Sequence, residues 1–283
     1  MKILNLHICI PLKSKSVSAS WSSECIALQD VFNSIFSQSN TNIKPIIYLA
    51  CNEIPDFIET YAFKKYVSIL KLELLEIPTS PQEKNQDKQL KKKIALDEIS
   101  KSVQKDDLIA IFDADDLCHS DLFRTIENKI KVIDCTDFIF YTGYMYNKNT
   151  NDFAYIDGVN NIFYKVCGSC IISKVLLTDI ENKLDFFYKL NNHTKFYEIC
   201  ENNGRKPNKF TFPAMLYMHD SVNNLSSGNI YIRKMFQDLK VDSTFHFVNL
   251  MKYFSGYKMV NDNLIIVSKS VDVCREIIFK KLF

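Results

Sequence analysis

The segment Asp107-Leu108-Ile109-Ala110-Ile111-Phe112-Asp113-Ala114-Asp115-Asp116 constrains this chain more than any other. An apolar run bounded by charge on both sides has the length of a strand buried on both faces. Such strands belong to parallel or mixed sheets inside α/β domains. The acidic cluster then falls at the carboxyl end of the strand, where sheets of this kind bind ligands.

Other segments fit that frame. Residues 3–11 form a short apolar run ending in Pro11 and read as a first buried strand. Residues 24–38 carry Ile26, Leu28, Val31, Phe32, Ile35 and Phe36 at helical spacing. Residues 45–50 read as a second strand that stops at Cys51-Asn52-Glu53. Residues 78–87, polar and holding Pro78 and Pro81, read as a loop, and residues 89–103 as a lysine-rich helix with Ile94, Leu96 and Ile99 on its apolar side. The alternation predicts an α/β domain with a mostly parallel sheet flanked by helices. Pro11-Leu12-Lys13, Asn52-Glu53 and the acidic cluster all fall at strand ends, so one crevice is expected to gather them.

The second half changes character. Residues 138–146 and 153–156 read as strands joined by a turn, and a further strand pair is expected through 162–166 and 170–172, around Gly168-Ser169. After residue 229 the chain reads as mainly helical. This divides it into a domain over 1–225 and a helical C-terminal extension over 226–283, without an internal repeat.

Composition narrows the chemistry. The 283 residues hold six glycines, where average usage gives roughly twenty. Neither G-x-G-x-x-G nor G-x-x-x-x-G-K-[ST] occurs, so phosphate binding falls to metal and basic side chains. A net charge of +2 with scattered basic residues, apart from the run Lys91-Lys92-Lys93, argues against nucleic acid as a partner. Nine cysteines at irregular spacing suit a reducing, cytoplasmic setting, with Cys167 and Cys170 read as buried free thiols. No apolar stretch approaches the roughly 20 residues of a membrane helix, and the first residues lack a signal-peptide pattern.

Two carboxylates two residues apart, Asp113 and Asp115, are suited to a hard divalent cation, Mn²⁺ or Mg²⁺, whose remaining positions take diphosphate oxygens. Asp116 is placed in support. The competing reading makes the cluster a solvated turn whose aspartates cap a helix beginning near Ser120 or Asp121. Lys91 is a candidate partner of phosphate, although adjacent lysines on a helix point in different directions and most of the run faces solvent. His219, following an apolar strand, reads equally as a metal ligand and as a structural histidine. His193 titrates in the range of a general base, or is an exposed loop residue among asparagines. Gly168 brings backbone close to a sugar or makes a tight bend, and Trp21 is read as packing.

The run Ile109 to Asp116, preceded by an early strand and helix, resembles the GT-A glycosyltransferases, with most similarity to glycosyltransferase family 2. Ile8-Cys9-Ile10-Pro11 and residues 28–38 are similar to the family's first strand and helix. Asp87-Lys88-Gln89-Leu90-Lys91 resembles an Asp-Lys-x-x-Lys segment that precedes the acidic motif. Residues 164–170 resemble the glycine-containing strand beside the donor sugar, and residues 215–226 a late histidine segment. The resemblance covers about residues 1–226.

It implies a GT-A-like fold and transfer of a sugar from a nucleotide-sugar donor, a UDP-sugar by family habit. The acceptor would be a glycan or lipid-linked molecule in bacterial surface polysaccharide synthesis. On this reading the donor contacts are Pro11, Lys13, Asn52, Glu53, Asp87, Lys91, Asp113, Ala114, Gly168 and Ser169. Metal would be held by Asp113, Asp115, Asp116 and His219, and His193 is the catalytic candidate. Asn52-Glu53 and Asn191-Asn192-His193 depart from the family, which often places an Asp pair and a Glu-Asp pair there.

Two rivals stand beside it. A haloacid-dehalogenase-like phosphatase would use Asp113 as nucleophile, but Leu117 holds the place of the usual Thr or Val and the motif comes late. A non-catalytic sugar-nucleotide-binding module is opposed only by the intact acidic cluster. An EF-hand is excluded because Leu117 takes a ligand position. Finally, Val271, Val273, Ile277, Ile278 and Leu282 alternate with basic residues, a pattern that reads as a packing helix or as weak peripheral contact with an anionic membrane.

Overall fold

The computed structural model describes residues 3–38, 41–73, 76–147, 152–219 and 230–241, together with 254, 258–260 and 263–265. The first half alternates strand and helix: β1 (Leu4–Pro11), α1 (Trp21–Phe36), β2 (Ile43–Cys51), β3 (Val67–Lys71), α2 (Pro81–Ile99) and β4 (Leu108–Ile111). β5 (Leu117–Cys118) and α3 (Leu122–Val132) lead to β6 (Asp137–Phe140), then to the hairpin of β7 (Gly143–Asn147) and β8 (Asp152–Ile156). β9 (Ile171–Lys174) precedes the short helices α4 (Leu177–Glu181), α5 (Asp185–Lys189) and α6 (Phe196–Asn202). β10 (Pro207–Phe210) and β11 (Met215–His219) follow.

The central sheet has the order β10-β6-β9-β4-β1-β2-β3. All its strands run in one direction except β9, which is antiparallel to β4 and β6. β4 lies in the middle, and Leu108, Ile109, Ala110 and Ile111 are each at most 4% exposed. That is why the run is apolar at every position instead of alternating. α2 packs on β1 and β2, and Trp21 lies partly buried against the core, the packing role expected for it. A second sheet, β12-β8-β7-β11-β5, includes β12 (Lys240–Val241), which follows α7 (Ile230–Asp238). The molecule is therefore the mixed α/β fold with a mostly parallel, helix-flanked sheet that the GT-A resemblance implies.

Several elements differ from expectation; residues 138–146, read as one strand, divide into β6 of the central sheet and β7 of the second. α2 begins at Pro81, inside the stretch read as a loop. Ser80 accepts from the Glu83 amide while the Glu83 carboxylate accepts from the Ser80 amide, and Pro81 sits at the first helical position, where its missing N–H costs nothing. Residues 163–165 form a 3-10 turn in place of the expected strand. The Phe163 ring lies where a Cβ on Gly143 would be, 2.5 Å away, and the Phe163 amide donates to Tyr141 O at 3.0 Å, which folds the segment over β7. β3 lies in a stretch without a sequence reading.

Beyond residue 229 the helix α7 is joined by β12 and by a two-stranded ribbon, β13 (Lys258–Val260) and β14 (Asn263–Ile265). The boundary at 225–226 and the amphipathic tail over 271–283 lie outside the described residues. The described cysteines, Cys167 and Cys170 among them, are free thiols. Among the described residues no helix is long and apolar enough to cross a membrane.

Candidate functional site

The chain leaves β4 through Phe112, fully buried, whose amide donates to Cys9 O at 3.0 Å. This tie to β1 sets the direction in which the acidic cluster emerges. Asp113 is then fixed from three sides. Its amide donates to Ser169 Oγ at 2.7 Å, and its Oδ1 lies 2.7 Å from Lys88 Nζ. Its Oδ2 lies where Gly168 leaves room, 2.8 Å from the position a Cβ there would take. Burial works against ionisation of Asp113. The nearby charges of Lys88 and Lys92, with the Lys88 hydrogen bond, more than offset it, so the carboxyl is held below the usual range.

The three carboxylates of the cluster diverge. Asp113 and Asp115 line a cleft together with Ala114. Asp116 turns inward and is fully buried. Its Oδ2 accepts from Ser169 Oγ at 2.6 Å and from Cys167 Sγ at 3.4 Å. Burial, then the charges of Asp115 and Asp113, push its carboxyl well above the usual range, toward the neutral form. Ser169 thus links two acidic residues from within the protein, and it is itself fully buried.

The opposite wall of the cleft is one face of α2. Lys84, Lys88 and Lys91, spaced four and three residues apart, share that face with Asp87. Lys91 is 1% exposed and its ammonium lies 2.7 Å from Asp87 Oδ2, so its charge is already matched. Lys88 is a third exposed and reaches across to Asp113. The pKa of Lys92 is held down to about 8 by burial and then by the charge of Lys88. The end of β1 closes the cleft with Pro11, Leu12 and Lys13, and Lys13 Nζ lies 3.4 Å from Glu24 Oε1.

Of the residues read from the sequence, the cleft therefore gathers Pro11, Lys13, Asp87, Lys91, Asp113, Ala114 and Asp115. Asn52 and Glu53 do stand at the carboxyl end of β2 but do not line it. Asn52 is buried and donates to Leu72 O at 3.3 Å. Glu53 accepts from the Lys15 amide at 2.9 Å and from Ser14 Oγ at 3.3 Å, latching the loop after β1.

His193 is half-buried, and its Nδ1 lies 2.8 Å from the carbonyl oxygen of Tyr164. A carbonyl only accepts, so Nδ1 carries the proton and Nε2 presents a lone pair. Burial holds this imidazole below its ordinary value, against the opposing pull of the Tyr164 hydrogen bond and the Asp113 charge. His219 ends β11 opposite Asn147, and its side chain lies outside the described atoms.

Sequence reasoning passed over Lys88, Lys84 and Glu24. The spacing of Lys84, Lys88 and Lys91 was the available signal for the first two. It becomes readable only once α2 is known to start at Pro81.

Among the described residues no group of three or more His, Cys, Asp or Glu could hold a metal ion. Asp113 and Asp115 supply the hard oxygen donors of a cation that takes one or two protein carboxylates and completes its sphere elsewhere. That donor set fits Mg²⁺ or Mn²⁺, with one condition: the oxygen Asp113 offers toward the cleft is the one Lys88 occupies.

No protein-family model matches the chain, and no curated protein matches it in sequence. Solved structures similar to it include S. aureus TarS 1–349 in complex with UDP-GlcNAc, at 12% identity and a TM-score of 0.47, covering 83% of this chain and 64% of that one. The same protein in complex with UDP gives 11% identity and a TM-score of 0.44, covering 76% and 60%. The chain thus spans less than two thirds of the length of these TarS structures.

Proposed function

We propose that this protein is a metal-assisted glycosyltransferase that moves a sugar from a nucleotide-sugar donor, a UDP-sugar, to a glycan or lipid-linked acceptor of bacterial surface polysaccharide. The observation that carries the reading is the cleft at the carboxyl end of β4, where Asp113 and Asp115 face the lysine row of α2. Carboxylates alone would repel a diphosphate. Carboxylates opposed by ammonium groups, and joined by a hard cation, suit one.

Asp113 and Asp115 would hold Mn²⁺ or Mg²⁺, which when bound neutralises charge building on the departing diphosphate. Lys88 and Lys84 bind diphosphate oxygens as point charges. Gly168 leaves room for the Asp113 carboxylate, Ser169 holds its backbone amide, and the Lys91–Asp87 pair keeps the lysine face of α2 in place. The acceptor oxygen forms a bond to the anomeric carbon as the bond from that carbon to the diphosphate oxygen breaks. The nucleoside diphosphate leaves with its electrons. His193 Nε2, neutral and unprotonated, takes the proton of the acceptor hydroxyl.

A thermal-shift panel of nucleotides with and without Mn²⁺ tests the reading. UDP should raise the melting temperature in Mn²⁺ and do so far less in chelator. Equal stabilisation in chelator would remove the metal. Rapid hydrolysis of a generic phosphomonoester, lost in Asp113→Asn, would replace the transferase with a phosphatase.

A further inference from the structure

Asp113 has one carboxylate oxygen against Gly168 and the other on the Lys88 ammonium, at 2.7 Å. Its backbone is held by the buried Ser169 hydroxyl, also at 2.7 Å. The oxygen that Asp113 presents to Lys88 is therefore the one a cation in the cleft would need. A divalent ion reaching Asp113 Oδ1 meets an ammonium already there. Two like charges on one oxygen repel strongly in a partly dehydrated cleft.

Lys88 has an alternative. It is on the cleft face of α2, between Lys84 and Lys91, where an entering diphosphate would present oxygens. A flexible four-carbon stem lets the ammonium leave Asp113 for such an anion without moving the helix. We infer that Lys88 is a resident counter-ion for Asp113 that blocks divalent cation until a nucleoside diphosphate draws it off. Metal and nucleotide then bind as a coupled pair. This deepens the transferase reading and rests on it.

The coupling is reciprocal: whatever factor UDP adds to Mn²⁺ affinity, Mn²⁺ adds to UDP affinity. Removing the ammonium has opposite effects on the two ligands. Lys88→Met frees Asp113 for Mn²⁺ and at the same time deprives the diphosphate of a cation. A side chain that merely supported the fold would weaken both when lost.

The experiment measures Mn²⁺ binding directly, by loss of the free-ion paramagnetic resonance signal, with protein alone, with UDP and with inorganic pyrophosphate. UDP binding in chelator is measured by calorimetry. Lys88→Met is compared with wild type and with Lys88→Arg, which keeps the charge, and each variant's thermal unfolding reports its fold. In Lys88→Met, Mn²⁺ alone should bind about tenfold more tightly, UDP in chelator about tenfold more weakly, and the UDP-to-Mn²⁺ coupling should shrink. Pyrophosphate should reproduce the UDP effect in wild type, since the diphosphate is what Lys88 follows.

Unchanged or weaker Mn²⁺ binding in a folded Lys88→Met, with wild type still binding UDP in Mn²⁺, overturns the inference and leaves the transferase reading standing. Wild type that binds no nucleotide diphosphate with Mn²⁺ overturns both.

Discussion

A β-carbon on Gly168 would stand 2.8 Å from Oδ2 of Asp113. Contacts that short do not persist, so an added methyl must displace the carboxylate. Asp113 is tethered through its amide by Ser169 and through Oδ1 by Lys88, which makes the displacement a change at the site and not a harmless swing. Gly168→Ala should keep the fold, because the backbone there is not left-handed. It should weaken Mn²⁺-supported UDP binding about tenfold, roughly 1.4 kcal/mol. Calorimetry on the variant, with circular dichroism as the control for folding, checks both halves.

Neighbouring aspartates should behave oppositely. Asp115 lines the cleft, so Asp115→Ala should abolish the Mn²⁺-dependent thermal shift by UDP and leave the unliganded melting curve nearly unchanged. Asp116 is buried under Ser169 and Cys167. Asp116→Ala leaves the Ser169 hydroxyl without its acceptor and should cost about 1–3 kcal/mol of stability. If Asp116→Ala melted like wild type while losing metal response, the inward assignment would be wrong.

How much of this was legible beforehand depends on what each element had to advertise. β4 was readable because a strand covered on both faces must be apolar throughout, and its carboxyl end placed Asp113 and Asp115. Which of three neighbouring carboxylates faces solvent was not readable. Asp116 turns inward because Ser169 and Cys167, some fifty residues later, supply its donors. Lys88 and Lys91 share one sequence motif, and only packing separates them, Lys88 reaching Asp113 while Lys91 is buried on Asp87. The start of α2 carries a complete capping signal in Ser80-Pro81-Gln82-Glu83, where proline is a first helical residue and not a breaker. The reversed direction of β9 leaves no trace in its own four residues.

Away from the cleft, Arg205 joins three segments through one buried guanidinium. Its Nε lies 2.9 Å from Asp137 Oδ1, its Nη1 2.8 Å from Asp179 Oδ2, and its carbon 4.0 Å from the centre of the Phe186 ring. Arg205 and both aspartates are at most 6% exposed. Arg205→Met keeps the bulk but strands two carboxylates, and should cost about 3–5 kcal/mol in denaturant unfolding. Arg205→Lys keeps the charge and loses the fork, so it should fall between the two. UDP binding by the folded fraction should be unchanged, since no part of this cluster lines the cleft.

His119 sets an acid limit on stability. It is 8% exposed, its ring meets Phe212 and Phe254 edge to face, and its Nδ1 accepts from the Asp121 amide at 3.0 Å. Burial pulls its pKa down from 6.5 to about 4, with Asp121 opposing and Arg124 assisting. Between those values the unfolded chain binds a proton that the folded chain refuses, so stability rises with pH there and is lost on acidification. The loss should start near pH 6.5, reach at most about 1.4 kcal/mol per pH unit, and level off below pH 4. Replacing the imidazole by the non-titrating His119→Gln should lower stability at pH 7.5, while making the drop toward pH 5 shallower than in wild type. Urea unfolding of both proteins at pH 7.5, 6.5, 5.5 and 5.0 gives the difference directly. Parallel slopes for the two proteins would show that His119 keeps its solution titration in the folded state.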